Sequence, residues 1–145
     1  MGNISKDINS SFPTERIKAL VNIKYTANWL TNKEIKFLKP FGISPQQYNI
    51  LRILKGAEEQ VKVQVVKERM IERSPNATRL MDKLCDKGLI ERTRCEEDRR
   101  VVYVEINKNG LGLLDKVKAL RENDFLNNIS IEEAKKLNEI LDNIR

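Results

Sequence analysis

The chain has 145 residues, 40% of them hydrophobic and 33% charged, a balance that suits one folded domain with a real core rather than a disordered segment. It has no histidine, so Ser-His-Asp triads, Cys-His pairs and imidazole metal sites are excluded, and two cysteines, Cys85 and Cys95, do not make a zinc knuckle. A net charge of +6, from 27 basic and 21 acidic side chains, favours a polyanionic partner. That charge is spread out. Residues 1–43 carry 7 basic and 3 acidic side chains, residues 44–110 carry 14 and 11, and residues 111–145 carry 6 and 7. A solvated basic surface accounts for such a pattern equally well. The six glycines are scattered, so no phosphate-cradling loop is present, and neither an enzyme nor a cofactor is expected. No apolar run approaches the roughly 18 residues that span a bilayer. The start of the chain lacks the apolar core of a signal peptide, so no membrane partner and a cytoplasmic location are expected.

Residues 1–12 are polar and poor in anchors and read as loose chain. Pro13, Thr14 and Glu15 open a helix whose broad apolar face includes Ile17, Leu20, Val21, Trp29, Ile35 and Leu38, and which must stop before Pro40. Ser44-Pro45-Gln46-Gln47 starts a second helix, with Ser44 as cap, Pro45 at its first position and Gln47 completing a capping box. Tyr48, Ile50, Leu51, Ile53 and Leu54 are its buried side, and Gly56 is expected to end it. A short strand at Val61 precedes a helix from about Val63 to Met70. Ser74-Pro75 repeats the cap-plus-proline start. Ala77, Leu80, Met81, Leu84 and Cys85 follow at i, i+3, i+4, i+7 and i+8, which is one helix face, and Gly88 closes it. The opposite face carries Asn76, Thr78, Arg79, Asp82, Lys83 and Asp86. From Leu89 the period becomes two: Leu89–Arg94 and Val101–Ile106 read as strands joined by the charged tip Cys95–Arg100. Asn107 caps a helix bearing Leu111, Leu114, Val117 and Leu120. Ser130-Ile131-Glu132-Glu133 is a capping box for a last helix, with Leu137, Ile140, Leu141 and Ile144 at helical spacing.

This order predicts a mainly α fold with a small β-hairpin (α+β). Three helices and a hairpin form a winged helix-turn-helix over about 44–106, inside a single domain of residues 1–145. The opening helix and the last two carry more apolar surface than one small chain can cover.

Over residues 14–145 the chain resembles the MarR-type (multiple antibiotic resistance) transcription regulators. The resemblance rests on the ordered spacing of Ser44-Pro45-Gln46-Gln47-Tyr48, of Ser74-Pro75-Asn76-Ala77-Thr78-Arg79 with Leu80-Met81-Asp82-Lys83-Leu84, of Lys87-Gly88-Leu89-Ile90-Glu91-Arg92, of Asp98-Arg99-Arg100, and of Ile106-Asn107-Lys108-Asn109-Gly110. It departs from the usual pattern at Lys62, where the family often has a Ser or Thr cap, and at Asn107, which stands for the usual Thr and caps as well. The resemblance implies a homodimer in which helices of about 14–40 and 107–145 interlock. It also implies a double-stranded DNA partner with a pseudo-palindromic sequence, and a repressor role relieved by a small-molecule effector.

The same resemblance assigns the site. Thr78 and Arg79 would meet base edges or phosphates, with Ser74, Asn76 and Lys83 beside them; an arginine paired bidentately with guanine contributes roughly 1–3 kcal/mol of discrimination. Arg99 and Arg100 on the hairpin tip would enter a minor groove, with Asp98 orienting a neighbouring arginine. A solvated helix face and a charged tip that keeps a sheet edge soluble are the plain alternatives. Tyr25, Trp29, Phe41 and Tyr48 would line a ligand crevice, or else pack as core. Leu137, Ile140, Leu141 and Ile144 would meet the partner chain. Cys85 reads as an inert core thiol, while Cys95 beside Arg94 leaves a thiol-based redox sensor open, as does a winged helix used only for protein contact.

Overall fold

The structure is a computed structural model that describes residues 2–120 and 125–145. The C-terminal arm expected over 107–145 therefore crosses four residues, 121–124, that lie outside the described residues. The elements in chain order are α1 (Ile4–Asp7), α2 (Glu15–Leu38), a single 3-10 turn (Lys39–Phe41), α3 (Pro45–Ala57), β1 (Val61–Lys62), α4 (Val63–Arg69), α5 (Ala77–Asp86), β2 (Ile90–Arg94), β3 (Val102–Ile106), α6 (Lys108–Leu120) and α7 (Ile131–Asp142).

Most starts follow the chemistry of their caps. Thr14 is extended and its hydroxyl oxygen accepts the Ile17 N–H at 3.2 Å. Ser44 and Gln47 bond each other's backbone N–H at 3.1 and 3.0 Å, and Ser130 and Glu133 do the same at 3.2 and 2.8 Å, so both capping boxes form. Gln47 is buried, yet its amide oxygen is used by this box.

Three local expectations are corrected. Residues 1–12 are not all loose: Asn3 caps the one-turn helix α1, which buries Ile4. Gly56 does not end α3. The helix runs through Ala57, and Glu58 takes the left-handed conformation at φ 57°. Ser74-Pro75 does not begin α5 directly. Asn76 sits outside the helical region at φ −92°, ψ 11°, so a turn intervenes in which the Ser74 hydroxyl accepts the Asn76 N–H at 3.1 Å, and the helix begins at Ala77.

The end of α5 is a Schellman turn. Leu89 N–H donates to Leu84 O at 3.0 Å and Gly88 N–H to Cys85 O at 2.8 Å. Gly88 stands at φ +69°, where any side chain would be strained. The chain then enters an antiparallel sheet of order β1-β3-β2. Arg94 pairs with Val102 and Ile90 with Ile106 in the hairpin, and Val61 pairs with Val104 on the other side. The wing is thus a three-stranded sheet, in which the short Val61 strand joins the hairpin.

The core lies under α5. Ala77, Met81 and Leu84 meet Ile50, Leu51 and Leu54 of α3, with Val66, Val104, Leu114 and Val117 closing around them. All are at most 3% exposed. The two ends of the chain contrast with this. Leu38 alone of the 24 residues of α2 is buried, and α7 buries none.

Candidate nucleic-acid interface

Burial of Ala77, Met81 and Leu84 fixes which way α5 faces, because side chains three and four apart share a face. Arg79 and Lys83 project from the opposite side and are exposed, Asn76 is exposed at the start, and Thr78 is half-buried. Ser74 is half-buried and serves the turn described above. The segment leading into this turn is tied to α3, where Asn49 Oδ1 accepts the Ile71 N–H at 3.0 Å. Asp82 is drawn off this face: its carboxylate accepts from the Arg92 guanidinium of β2 and joins the helix to the wing.

The wing tip is a built turn. Cys95 N–H donates to Val101 O at 3.0 Å, and Val101 N–H to Asp98 O at 2.9 Å. The Asp98 carboxylate accepts the Arg100 backbone N–H at 3.0 Å and lies 3.5 Å from Arg100 Nε. Arg100 is held at its backbone while its side chain remains 94% exposed. Arg99 is exposed beside it. A fixed root with an exposed guanidinium, paired only to its own turn, suits insertion into a groove of negative potential.

Sequence reasoning missed two parts of this surface. One is a groove of about 280 Å³ between α4 and the turn before α5, lined by Gln64, Lys67, Glu68, Arg73, Ser74 and Pro75. It places two cations beside the exposed start of α5. The polar side of α4, Gln64, Lys67 and Glu68 around buried Val66, was the available signal. The other is Arg92, whose partner ten residues earlier no local pattern reveals.

The four aromatic residues expected at a ligand crevice fall in two groups, Tyr25 with Trp29 and Phe41 with Tyr48 around Phe37. Tyr25 and Trp29 line an open hollow of about 550 Å³ beside Ile4 and Asn128, and Lys33 lies 3.9 Å over the Trp29 ring. Phe41 packs on Phe37 at 5.9 Å between ring centroids. Tyr48 stands with Glu34, Phe37, Leu38 and Phe125, so Phe37 lies beside both Phe41 and Tyr48. A separate cleft of about 590 Å³ opens between α2 and the start of α3, walled by Ile35 and Ile43 and flanked by Lys39 and Glu72. Burial pushes the Cys85 thiol above its ordinary range, against the opposing pull of Arg92. Among the described residues, no cluster of His, Cys, Asp and Glu could hold a metal ion, and no helix is long and apolar enough to cross a membrane.

The MarR family model matches residues 43–102, the stretch from the start of α3 to the wing. The HTH-type transcriptional regulator MhqR of Bacillus subtilis (strain 168) is 28% identical over 109 residues, which are 73% of this chain and 74% of that protein. The crystal structure of a MarR transcription factor from Planctomyces limnophilus is 30% identical, with a TM-score of 0.70 over 92% of this chain and 98% of that one. A mutant MarR from E. coli complexed with operator DNA shares the fold, with a TM-score of 0.76 over 92% and 99% of the two chains at 22% identity. Outward recognition face, rooted wing and family match agree, and the chain belongs to the MarR family of transcriptional regulators with a DNA-binding winged helix.

Proposed function

We propose that the protein binds a pseudo-palindromic operator as a homodimer, represses transcription from it and is released by a small molecule. The observation that carries the dimer is the contrast between a complete core under α5 and uncovered apolar side chains on α2 and α7. Leu20 is 54% exposed, Ile131 78% and Ile140 59%, and Ile144, which lies past the end of α7 rather than on it, is 63% exposed. Leu137 and Leu141 lie on the same helix. Isolated apolar residues are common on surfaces, but two helices that bury almost nothing call for a partner. Helices of about 14–40 and 107–145 then form the arms around a DNA-binding portion of about 44–106.

In this reading Arg79, Thr78, Asn76 and Lys83 enter the major groove, Arg99 and Arg100 reach the minor groove, and Ser74 with Lys67 and Arg73 meets phosphate. An effector suits the cleft between α2 and α3, because its walls belong to an arm and to the DNA-binding portion at once. A mainly apolar ligand would find Ile35 and Ile43 there, with Lys39 and Glu72 of opposite charge at the rim.

Sedimentation of the full chain at micromolar concentration, alone and with duplex DNA from upstream of its own gene, tests the proposal. A dimer that shifts to one dimer per duplex is expected. A stable monomer, or equal affinity for scrambled duplex, would overturn it. Removing residues 130–145 should abolish dimerisation and DNA binding together.

A further inference from the structure

The end of the recognition helix α5 is gripped from two sides. Lys87 Nζ donates to the Gly42 carbonyl, at the corner where α2 gives way to α3. From the other side, Asn107 Nδ2 donates to the Gly88 carbonyl at 2.8 Å and Asn109 Nδ2 to the same oxygen at 3.4 Å, while the Asn107 backbone N–H donates to Leu89 O at 3.2 Å. Asn107 is also the cap of α6, its Oδ1 accepting the Gly110 N–H at 3.0 Å. One amide therefore does two things on two atoms: the oxygen starts α6 and the nitrogen holds the terminal turn of α5. Capping alone needs only the oxygen, which Ser, Thr or Asp would supply.

The two elements also stand very close. A Cβ on Gly110 would lie 2.3 Å from Leu89 O and 2.6 Å from Ile106 Cγ1, so only glycine fits. The other end of α5 packs on α3 through buried Ala77, while Asn76 and Arg79 stay exposed there. Ala77, Met81 and Leu84 pack α5 on α3 along its length, so the two helices move as one unit about the Gly88 turn. The 10 residues of α5 span about 15 Å, so a tilt of that unit by about 13° at the joint moves the far end by about 3.4 Å, one base-pair rise.

We propose that Asn107 is a positioning residue for DNA recognition: with Gly110 it locks the Gly88 turn to α6, fixes the angle between recognition helix and arm, and so sets the half-site spacing that the protein accepts. This rests on the reading of the chain as a dimer on a paired operator. The base contacts themselves stay with α5, so the half-site sequence and the spacing are separable properties.

The test uses full-length protein and a pool of random-sequence duplexes, with the bound DNA sequenced for wild type, Asn107→Asp and Gly110→Ala. Asn107→Asp keeps a capping oxygen but sets a carboxylate oxygen against the Gly88 carbonyl. Gly110→Ala keeps every hydrogen-bonding group and drives a methyl between α6 and Leu89. Wild type should enrich paired half-sites at one spacing. Both variants should enrich the same half-site motif with the spacing shifted or spread by about one base pair or more. Unchanged spacing in variants with wild-type circular dichroism overturns the proposal, and so does loss of the motif along with the spacing, which marks a general structural role. Should these two variants fail to fold, Asn107→Ser keeps a capping oxygen and removes only the Nδ2 donor to Gly88, and unchanged spacing there overturns the proposal equally. A wild-type pool without paired half-sites overturns the dimeric-operator reading, and this inference with it.

Discussion

Asp82 on α5 and Arg92 on β2 form an ion pair that joins the helix to the sheet. With side chains 47% and 32% exposed, the pair contributes about 0.2–1 kcal/mol to stability. Urea unfolding of Asp82→Ala, Arg92→Ala and the double variant should give a coupling energy in that range. DNA affinity should fall in each single variant, because a wing freed from α5 must be ordered on binding. Zero coupling with undiminished affinity would contradict this.

Leu84 is fully buried beneath α5, against α3. Leu84→Ala should destabilise the fold by about 2–5 kcal/mol through lost burial and the cavity left behind. Arg79→Ala, on the exposed face of the same helix, should change stability by no more than about 0.5 kcal/mol. Thermal or denaturant unfolding compares the two; similar losses would mean that α5 is oriented differently.

On DNA the ranking should reverse for function. Arg79→Ala should cost about 1–3 kcal/mol of operator preference per half-site. Arg100→Ala should weaken operator and scrambled duplex alike and lower the salt dependence by about one phosphate per contact removed. Fluorescence anisotropy across a salt series distinguishes these. An Arg79 variant that keeps its operator-to-scrambled ratio would remove it from base reading.

The Ser130 backbone N–H bonded to the Glu133 carboxylate holds its pKa below the ordinary glutamate range, with the Ser130 hydroxyl adding to the effect. A depressed folded-state value means that the contribution is complete above the unfolded pKa and is lost as pH falls through the folded one. The start of α7 should therefore loosen in acid, below the usual glutamate range. Glu133→Gln keeps an acceptor oxygen without the charge, so the difference in ellipticity at 222 nm between wild type and variant should be full above that range and vanish below it. A flat difference across the acid range would show that the box is not charge-dependent.

Elements announced by a side chain acting on its own neighbours were legible in the sequence. Ser44 and Gln47, Ser130 and Glu133, Thr14, and the period that puts Ala77, Met81 and Leu84 on one face all act within one or two turns. What sequence reading missed depends on distant partners. Asn3 caps a turn that survives because Ile4 finds a buried place. Asn76 leaves the helical region although Ser74-Pro75 is a good helix start. Arg92 finds Asp82, and Lys67 lines a groove with Arg73, only once the chain has folded back. The aromatic residues mark the limit most clearly. Tyr25, Trp29, Phe41 and Tyr48 are all aromatic, yet spacing alone did not show that they separate into an open hollow and a packed corner around Phe37.

The small sheet also shapes how the chain behaves at high concentration. Its two edges are protected by different means. β1 is only two residues long, and β2 turns Glu91, Arg92, Thr93 and Arg94 to solvent, three of them charged. Short or charged edges discourage the strand-to-strand stacking that seeds aggregates. Apolar surface is left uncovered on helices instead, which have no free backbone ladder to offer. Self-association of this chain is thereby steered toward helix packing, which can close on itself, and away from sheet extension, which need not stop.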